Sequence, residues 1–569
     1  MAEHRLSFLD RARLRRATRR GPEAGIAQAP GPRGMGHVGR GQRMTAGAFL
    51  FAGHAADAPD TAIWDLPIAA PRALEEIHGF AWLDDLAAAG DAAALACAQG
   101  WTDDWLTRFG AGAGPGWRAD VLGRRIARWI DHAELLMGGD APRDAALRRS
   151  LAAQARLLSR RWTAAPPGSP RIEALCALLL ATHVLPAIGR TRGAALTALG
   201  REVSAVVAAD GTVASRNPEA LAALFVRLAR LRADLSSADM SLPKDLADAL
   251  AAMAPVLRSL RHADGGLARF HGGGPGVPGV LDQALAASGT PVEPRLATAM
   301  GYARLSHGRT TLLLDAASPP EGDASRHGHA ATLAFELTSG RRPLVVNCGA
   351  GDGFGDRWRR ASRATPSQST LAIDGFSSAR LDRADGHGPL CDTPRDVRIE
   401  RRRDGRSSGL VAGHDGYVAT HGLTHVRQIH LSRDGRGVRG EDVLATVEGE
   451  DERIFDRALV AARGPIPFRV RFHLHPDVVA RTADDGSSVE LMLKSGELWV
   501  FRVQDGASMS LQPSIYLDAG LAEPRPTGQI VLSATAAKYA TRVSWTLAKA
   551  RQTPDAVRDT VHEDRPVLV

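Results

Sequence analysis

Arg326-His327-Gly328-His329-Ala330-Ala331-Thr332-Leu333-Ala334-Phe335-Glu336-Leu337 is the stretch whose reading decides the fold. It sets two imidazoles at the mouth of an apolar segment, Ala330 to Leu337, that reads as a strand. Successive side chains on an extended backbone point to opposite faces, so His327 and His329, two apart, address one space. In such a pair one imidazole can move protons while the other fixes a metal or a carboxylate.

On the C-terminal side of this stretch the sequence keeps a period of two. Phe468, Val470, Phe472 and Leu474 alternate with Arg469, Arg471, His473 and His475, and Val489, Leu491 and Leu493 alternate with Glu490, Met492 and Lys494. Asp434-Gly435, Asp485-Gly486 and Asp505-Gly506 supply turns between strands. The N-terminal side, from about 46 to 290, has a helical period instead. Val121, Leu122, Ile126, Trp129, Ile130 and Ala133 recur at helical spacing, and further helices are expected over 144–162, 171–185, 194–209, 218–235 and 243–260. Successive helical hairpins with short loops must curl to bury their apolar faces, which suits an α/α toroid. The expected architecture is multidomain α+β, with an N-terminal α/α toroid at 46–290 and a C-terminal antiparallel β-sandwich at 295–550. Gly272-Gly273-Gly274-Pro275-Gly276 lacks the flanking strand and helix of a phosphate loop and reads as an interdomain loop.

Three pieces in order, His327 to Leu337, Val346-Asn347-Cys348-Gly349 and Ser367-Gln368-Ser369-Thr370-Leu371-Ala372-Ile373-Asp374-Gly375, give the second half of the chain a family likeness. With Trp358-Arg359-Arg360 and Arg363 between them, they resemble the heparinase II/III-like C-terminal domain of polysaccharide lyases. The resemblance continues through His414-Asp415-Gly416-Tyr417, Arg439-Gly440-Glu441-Asp442 and Phe472-His473-Leu474-His475-Pro476. It implies the same toroid-plus-sandwich architecture and β-elimination on an acidic, uronate-containing, glycosaminoglycan-like polysaccharide. That reaction needs a group that neutralises the carboxylate, a base for the C5 proton and an acid for the departing O4.

Matched position by position, the resemblance gives His327 the catalytic role and His329 a place in a supporting metal site. Asn347 stands where the family has Asp and Gln368 where it has His, so any structural zinc would have an incomplete ligand set; no cofactor is otherwise implied. Asp210-Gly211-Thr212-Val213-Ala214-Ser215-Arg216-Asn217-Pro218 resembles the family's groove loop, with Val213 at a histidine position. Arg216 and Asn217 are candidate carboxylate partners there, or simply a helix-entry turn ahead of Pro218. The helical-domain tyrosine of the family has no counterpart, because no tyrosine precedes Tyr302; Tyr417 is the substitute phenol. Trp129, His132 and Arg363 complete the candidate substrate contacts, with core packing the competing reading for the tryptophan. His473 and His475 share a strand face, either as a metal pair or as a solvated or substrate-facing surface. A catalytically degenerate glycan-binding relative is the alternative function. Hydrolysis by paired carboxylates would have to draw on Asp84, Asp85, Asp103 and Asp104.

Composition bounds these readings. The chain has 569 residues, 44% hydrophobic and 24% charged, as a soluble globular protein does. Its net charge of +8 and pI near 9.8 come from arginine, through either a surface suited to polyanions or a genomic bias. Nucleic acid is not an expected partner, a homodimer is possible, and no apolar run is long enough to span a bilayer. Cys97, Cys176, Cys348 and Cys391 are scattered without metal-type spacing, which argues against a disulfide framework. Arg11, Arg13, Arg15 and Arg16 interrupt the place where a signal peptide would have its apolar core. Sequence alone therefore favours the cytoplasm, whereas the resemblance implies the cell envelope or periplasm. Residues 1–45 read as a basic mobile arm and 551–569 as a polar tail.

Overall fold

The structure is a computed structural model that describes residues 6–20, 34–59, 61–292, 295–382, 386–554, 559 and 567–568. Helices occupy the first half: Ala119–Asp131, Ala141–Arg161, Ser169–Val184, Arg192–Val206, Pro218–Ser236 and Lys244–Ser259 lie close to where the periodicity puts them. They alternate between two layers. Ala119–Asp131 packs on Ser169–Val184, which packs on Pro218–Ser236, while Arg192–Val206 lies behind them against Lys244–Ser259. This layering is the α/α toroid arrangement expected from successive hairpins.

An aromatic nucleus closes one end of the helical part. Phe80, Trp82, Trp105 and Trp129 are fully buried with ring centroids 4.7 to 5.9 Å apart. The buried Arg125 guanidinium lies 4.0 Å from the Trp105 ring and donates to the carbonyls of His78 and Gly116. Its burial is tolerable because both the π face and the carbonyls replace water.

The second half forms two antiparallel sheets over one core. The eight-stranded sheet runs in the order Val397–Arg403, Ser407–Tyr417, Leu423–Ser432, Gly437–Ala445, Ala540–Lys549, Leu498–Asp505, Val489–Met492, Val479–Thr482. The nine-stranded sheet runs Ser508–Tyr516, Arg525–Ala536, Ile466–Leu474, Arg342–Val346, Phe335–Ser339, Thr310–Asp315, Tyr302–His307, Thr298–Ala299, with Leu371–Ile373 also pairing Ile466–Leu474. Phe335 and Phe472 from one sheet meet Phe501 and Trp545 from the other at centroid distances of 4.8 to 5.9 Å. Gly435, Gly486 and Gly506 all take positive φ, which the hairpin turns require and which costs glycine no steric penalty.

Three expectations need correction. The apolar stretch is a strand only from Phe335; residues 326–334 form a loop, and Leu333 sits at φ 62°. His327 and His329 are therefore not alternate residues of one strand. Nor is the N-terminal part a free arm where it is described: Phe8–Arg20 packs on Ala141–Arg161 with Leu14 buried, and Val38–Thr45 packs on Trp82–Ala89. Gly36 and Gly41 allow that approach, since a Cβ on either would fall 1.8 to 2.2 Å from the carbonyl oxygens of Asp84 or Asp85. At the other end, Val567–Leu568 pairs with Met35–Gly36, and Asp559 bonds the buried Arg342. The remaining residues of the 1–45 and 551–569 segments lie outside the described residues.

Candidate active site

The His327 loop is built from inside by Arg363. This arginine is buried and donates to the carbonyls of Ser325, Gly328, Gly386 and Gly388 at 2.6 to 2.8 Å. Burial, with Arg359 beside it, brings its pKa down to about 10. Arg363 thus shapes the loop with four of its five N–H groups, and its burial keeps it away from a substrate. Arg359 plays a related part, donating to Arg326 and Gly386 carbonyls and to the Asp352 carboxylate.

His327 stands at the surface of this loop with its side chain 47% exposed. Its Nδ1 lies 3.1 Å from Asp352 Oδ1. A carboxylate can only accept, so Nδ1 carries the proton and Nε2 keeps its lone pair. Partial loss of water, then the charges of Arg359, Arg72, Arg363 and His387, hold its pKa down to about 4. The imidazole is accordingly neutral at pH 7 and able to accept a proton. From the helical half, the hairpin Ala48–Phe51/His54–Asp57 reaches the turn Asp352–Phe354 that carries the His327 partner, where a Cβ on Gly53 would lie 3.3 Å from the Gly353 carbonyl.

Behind His327 the two halves are joined by two buried ionic clusters. In the first, Asp315 on its strand is ion-paired to Arg216 and lies 3.2 Å from His271 Nε2. Arg216 also donates to the carbonyls of Met300, Gly301, Ala317 and Ser318 and lies 4.8 Å from the Tyr302 ring, whose hydroxyl donates to the Arg216 carbonyl. Burial alone would raise the Asp315 carboxyl, but Arg216 and His271 outweigh it and hold the pKa below the ordinary value. Burial lowers His271, whose Nδ1 accepts from the His329 amide at 3.1 Å. The relay Arg216–Asp315–His271 thus ends on the backbone of the His327 loop. In the second cluster, Glu336 receives His262 Nε2 at 3.0 Å and the Arg269 amide at 3.1 Å.

These contacts reassign most of the residues singled out in the sequence. Arg216 is a buried interdomain tie, at φ 50°, rather than a carboxylate binder. Asn217 is the N-cap of Pro218–Ser236: its Oδ1 accepts from the amides of Glu219 and Ala220, and its Nδ2 donates to the His271 carbonyl. Tyr417 is fully buried with its hydroxyl on the Leu371 carbonyl, and burial pushes the phenol well above its usual range. Trp129 lies in the aromatic nucleus, and His132 is buried against Asp84 at 2.9 Å; neither lines a sugar platform. His473 is buried too, between the Pro366 carbonyl and Ser514, and His475 packs on Tyr516, so that strand face is neither solvated nor a metal pair. The acidic pairs on helices are also engaged: Asp84 by Arg128 and His132, Asp85 by Arg40, Asp103 by Arg143 and Asp104 by Arg108. They do not form the opposed carboxylates a hydrolase needs.

The zinc positions do not fit the metal. His329 is buried with no protein partner on Nδ1, but the companions are neutral amides. Asn347 Oδ1 already accepts from the Ser369 amide, and Gln368 Nε2 donates to the Ser362 carbonyl. Among the described residues, no three His, Cys, Asp or Glu side chains gather as a metal set. Neutral amides supply neither the charge nor the donor strength that zinc selects.

Sequence reasoning missed Asp315, His271, Glu336, His262 and Asp352. The signal for His271 was present, since it opens the glycine-rich loop: a Cβ on Gly272 would lie 3.0 Å from both Cβ and the carbonyl of His327. That loop therefore lets the helical half approach the histidine loop closely. The acidic residues gave no local signal, because Arg216 lies 99 positions from Asp315, Arg269 and His262 lie 67 and 74 positions from Glu336, and Asp352 meets His327 from another loop.

Comparison with known proteins agrees with this geometry. The family described as Heparinase II/III-like, C-terminal, matches residues 289–546. FtsZ-localized protein C of Caulobacter vibrioides (strain NA1000 / CB15N) is 32% identical over 547 residues, covering 93% of this chain and 91% of that protein. A crystal structure of heparinase III superposes with a TM-score of 0.67 at 14% identity, covering 95% of this chain and 89% of that one. A mutant of the heparan sulfate lyase HepC from Pedobacter heparinus gives 0.57 at 15% identity, covering 96% and 88%. With a shared fold from the toroid to the last sheet and the His327 loop at its junction, this chain belongs to the heparinase II/III-like family.

Proposed function

We propose that this chain is a lyase-fold protein that binds rather than cleaves, and that it serves bacterial cell division in association with FtsZ. The observation that carries this reading is the diversion of the elimination machinery into structure. Arg216 and Asn217 are consumed by the interdomain tie and a helix cap, and Tyr302 and Tyr417 donate to backbone carbonyls in the core. Tyr516 is buried beside His475, and Tyr539 faces Asp456. His327 is left with a carboxylate partner and neighbouring cations but no phenol. The 32% identity to FtsZ-localized protein C, over nearly the whole of both chains, supports the division role. The test is co-pelleting of the purified chain with FtsZ polymers alongside incubation with a polyuronate panel. FtsZ-dependent pelleting without unsaturated product is expected; product formation, or no pelleting, would overturn the reading.

One observation favours a second reading, elimination on an acidic glycan by His327 alone. Its Nε2 is unprotonated, the ring is half-exposed and held through Nδ1 by Asp352, and Arg72 and Arg359 supply positive charge for a uronate carboxylate. One imidazole would then take the C5 proton and return it to O4. This reading requires turnover that His327→Ala abolishes.

A further inference from the structure

The eight-stranded sheet ends on Val397–Arg403, which pairs only with Ser407–Tyr417. Seven residues pair in unbroken register, from Val397 opposite His414 to Arg403 opposite Ser408, with neither bulge nor proline. The strand is exposed or half-exposed throughout, and among the described residues no backbone hydrogen bond crosses its outer edge. Such an edge is a template for another backbone.

Its side chains carry a net positive charge, from four arginines and one glutamate. Alternation puts Arg398, Glu400 and Arg402 on the outer face, while Val397, Ile399 and Arg401 lie on the side of buried Leu410 and Ala412. Arg401 is folded back onto Ala297, Thr298 and Arg304, which leaves the edge clear of it. Ile399 stays 37% exposed, an apolar contact beside an open backbone. The register then leads across the sheet toward Arg439, through His430, which partial burial holds below its ordinary pKa. Arg402 faces Gly409, Gly409 faces His430, and His430 faces Arg439. Gly409 makes the floor between the first two, since a Cβ there would lie 2.6 Å from His430 Nδ1. At the hairpin end, the guanidinium groups of Arg403, Arg406 and Arg433 form no ion pair among the described residues, although the Arg406 amide donates to Asp404, and Arg398 and Arg402 pair with their exposed neighbours Asp396 and Glu400. Exposed pairs of that kind exchange readily for a better partner.

Charged edges often serve only to prevent aggregation, but this one lacks the bulge or proline that would close it. We propose that Val397–Arg403 is a docking edge for an acidic, extended protein segment. The segment adds as a further strand, sets carboxylates four residues apart against Arg398 and Arg402 with a non-acidic residue opposite Glu400, and continues toward Arg403, Arg406 and Arg433. A row of unpaired amides and carbonyls seven residues long is satisfied by another polypeptide and not by a glycan, which fixes the class of partner. The proposal is independent of the His327 loop and stands or falls apart from the reading of that site.

The test is fluorescence anisotropy of a labelled seven-residue peptide, valine-glutamate-valine-lysine-valine-glutamate-valine, titrated with the full chain at low salt. Binding is expected, with at least a tenfold loss for the Arg398→Glu/Arg402→Glu double variant, whose fold circular dichroism checks. A peptide N-methylated on alternate amides should lose binding to the same degree. No binding of the parent peptide, or equal binding of the N-methylated one, overturns the proposal. Binding of a heparin oligosaccharide that needs Arg398 and Arg402 while the peptide fails would assign the surface to glycans instead.

Discussion

Asp315→Ala is the perturbation that reaches furthest into this fold. The carboxylate is fully buried, and it answers both the Arg216 guanidinium and His271 Nε2. Its removal leaves Arg216 hydrogen-bonded to four carbonyls but with no neutralising charge, a situation that costs about 3–5 kcal/mol in buried pairs. Asp315→Asn retains an acceptor without the charge and should cost less than the alanine. Urea unfolding measures the loss, and hydrogen exchange at the His329 amide reports the loop, because that amide donates to His271 Nδ1. The sign of the pH dependence follows from the lowered pKa of Asp315: its contribution is complete above the unfolded value of about 3.9 and disappears as pH falls through the folded one. A loss under about 1 kcal/mol for Asp315→Ala, or an unchanged His329 amide, would refute the claim that this relay holds the domains and the loop together.

Four further outcomes follow from the same geometry. Buried neutral histidines should make the protein acid-sensitive: His473, lowered to about 4, contributes on the order of 3 kcal/mol that is present above about pH 6.5 and lost as pH falls toward 4, read as a falling urea midpoint. The His327 imidazole should titrate near pH 4 by nuclear magnetic resonance, and Arg359→Gln should move it upward; an ordinary histidine titration would contradict its setting. Asn347→Asp combined with Gln368→His should create zinc-dependent thermal stabilisation that the parent chain lacks. Leu14→Asp should release the Phe8–Arg20 helix from Ala141–Arg161 and expose it to limited proteolysis, whereas a truly mobile arm would be cut equally in both proteins.

What the sequence disclosed, and what it hid, divides along physical lines. Periodicity is a local property, and it located the helices from Ala119 to Ser259 and strands such as Ile466–Leu474. The motif at His327 likewise found the loop around which the two halves meet. Roles were less legible, because a polar residue in a motif has the same letter whether it faces a substrate or a buried partner. Arg216 reads as a carboxylate binder until Asp315, 99 positions away, is seen beside it. Arg363 reads the same way until four loop carbonyls surround it. The apolar run from Ala330 to Ala334 looked like strand because burial and extension share a composition; a loop tied by Arg363 and His271 buries the same residues without a sheet. The N-terminal arginines suggested an arm because only tertiary packing reveals that Leu14 has a helix to lie on.

The most direct test of a lyase fold turned to binding is ultraviolet absorbance of the unsaturated uronate product. Purified chain and its His327→Ala variant would be incubated with heparan sulfate, hyaluronan, chondroitin and alginate. The account predicts the same flat trace for both proteins on every polymer. A growing band with the parent chain that His327→Ala abolishes would contradict it, and would establish His327 as the eliminating base.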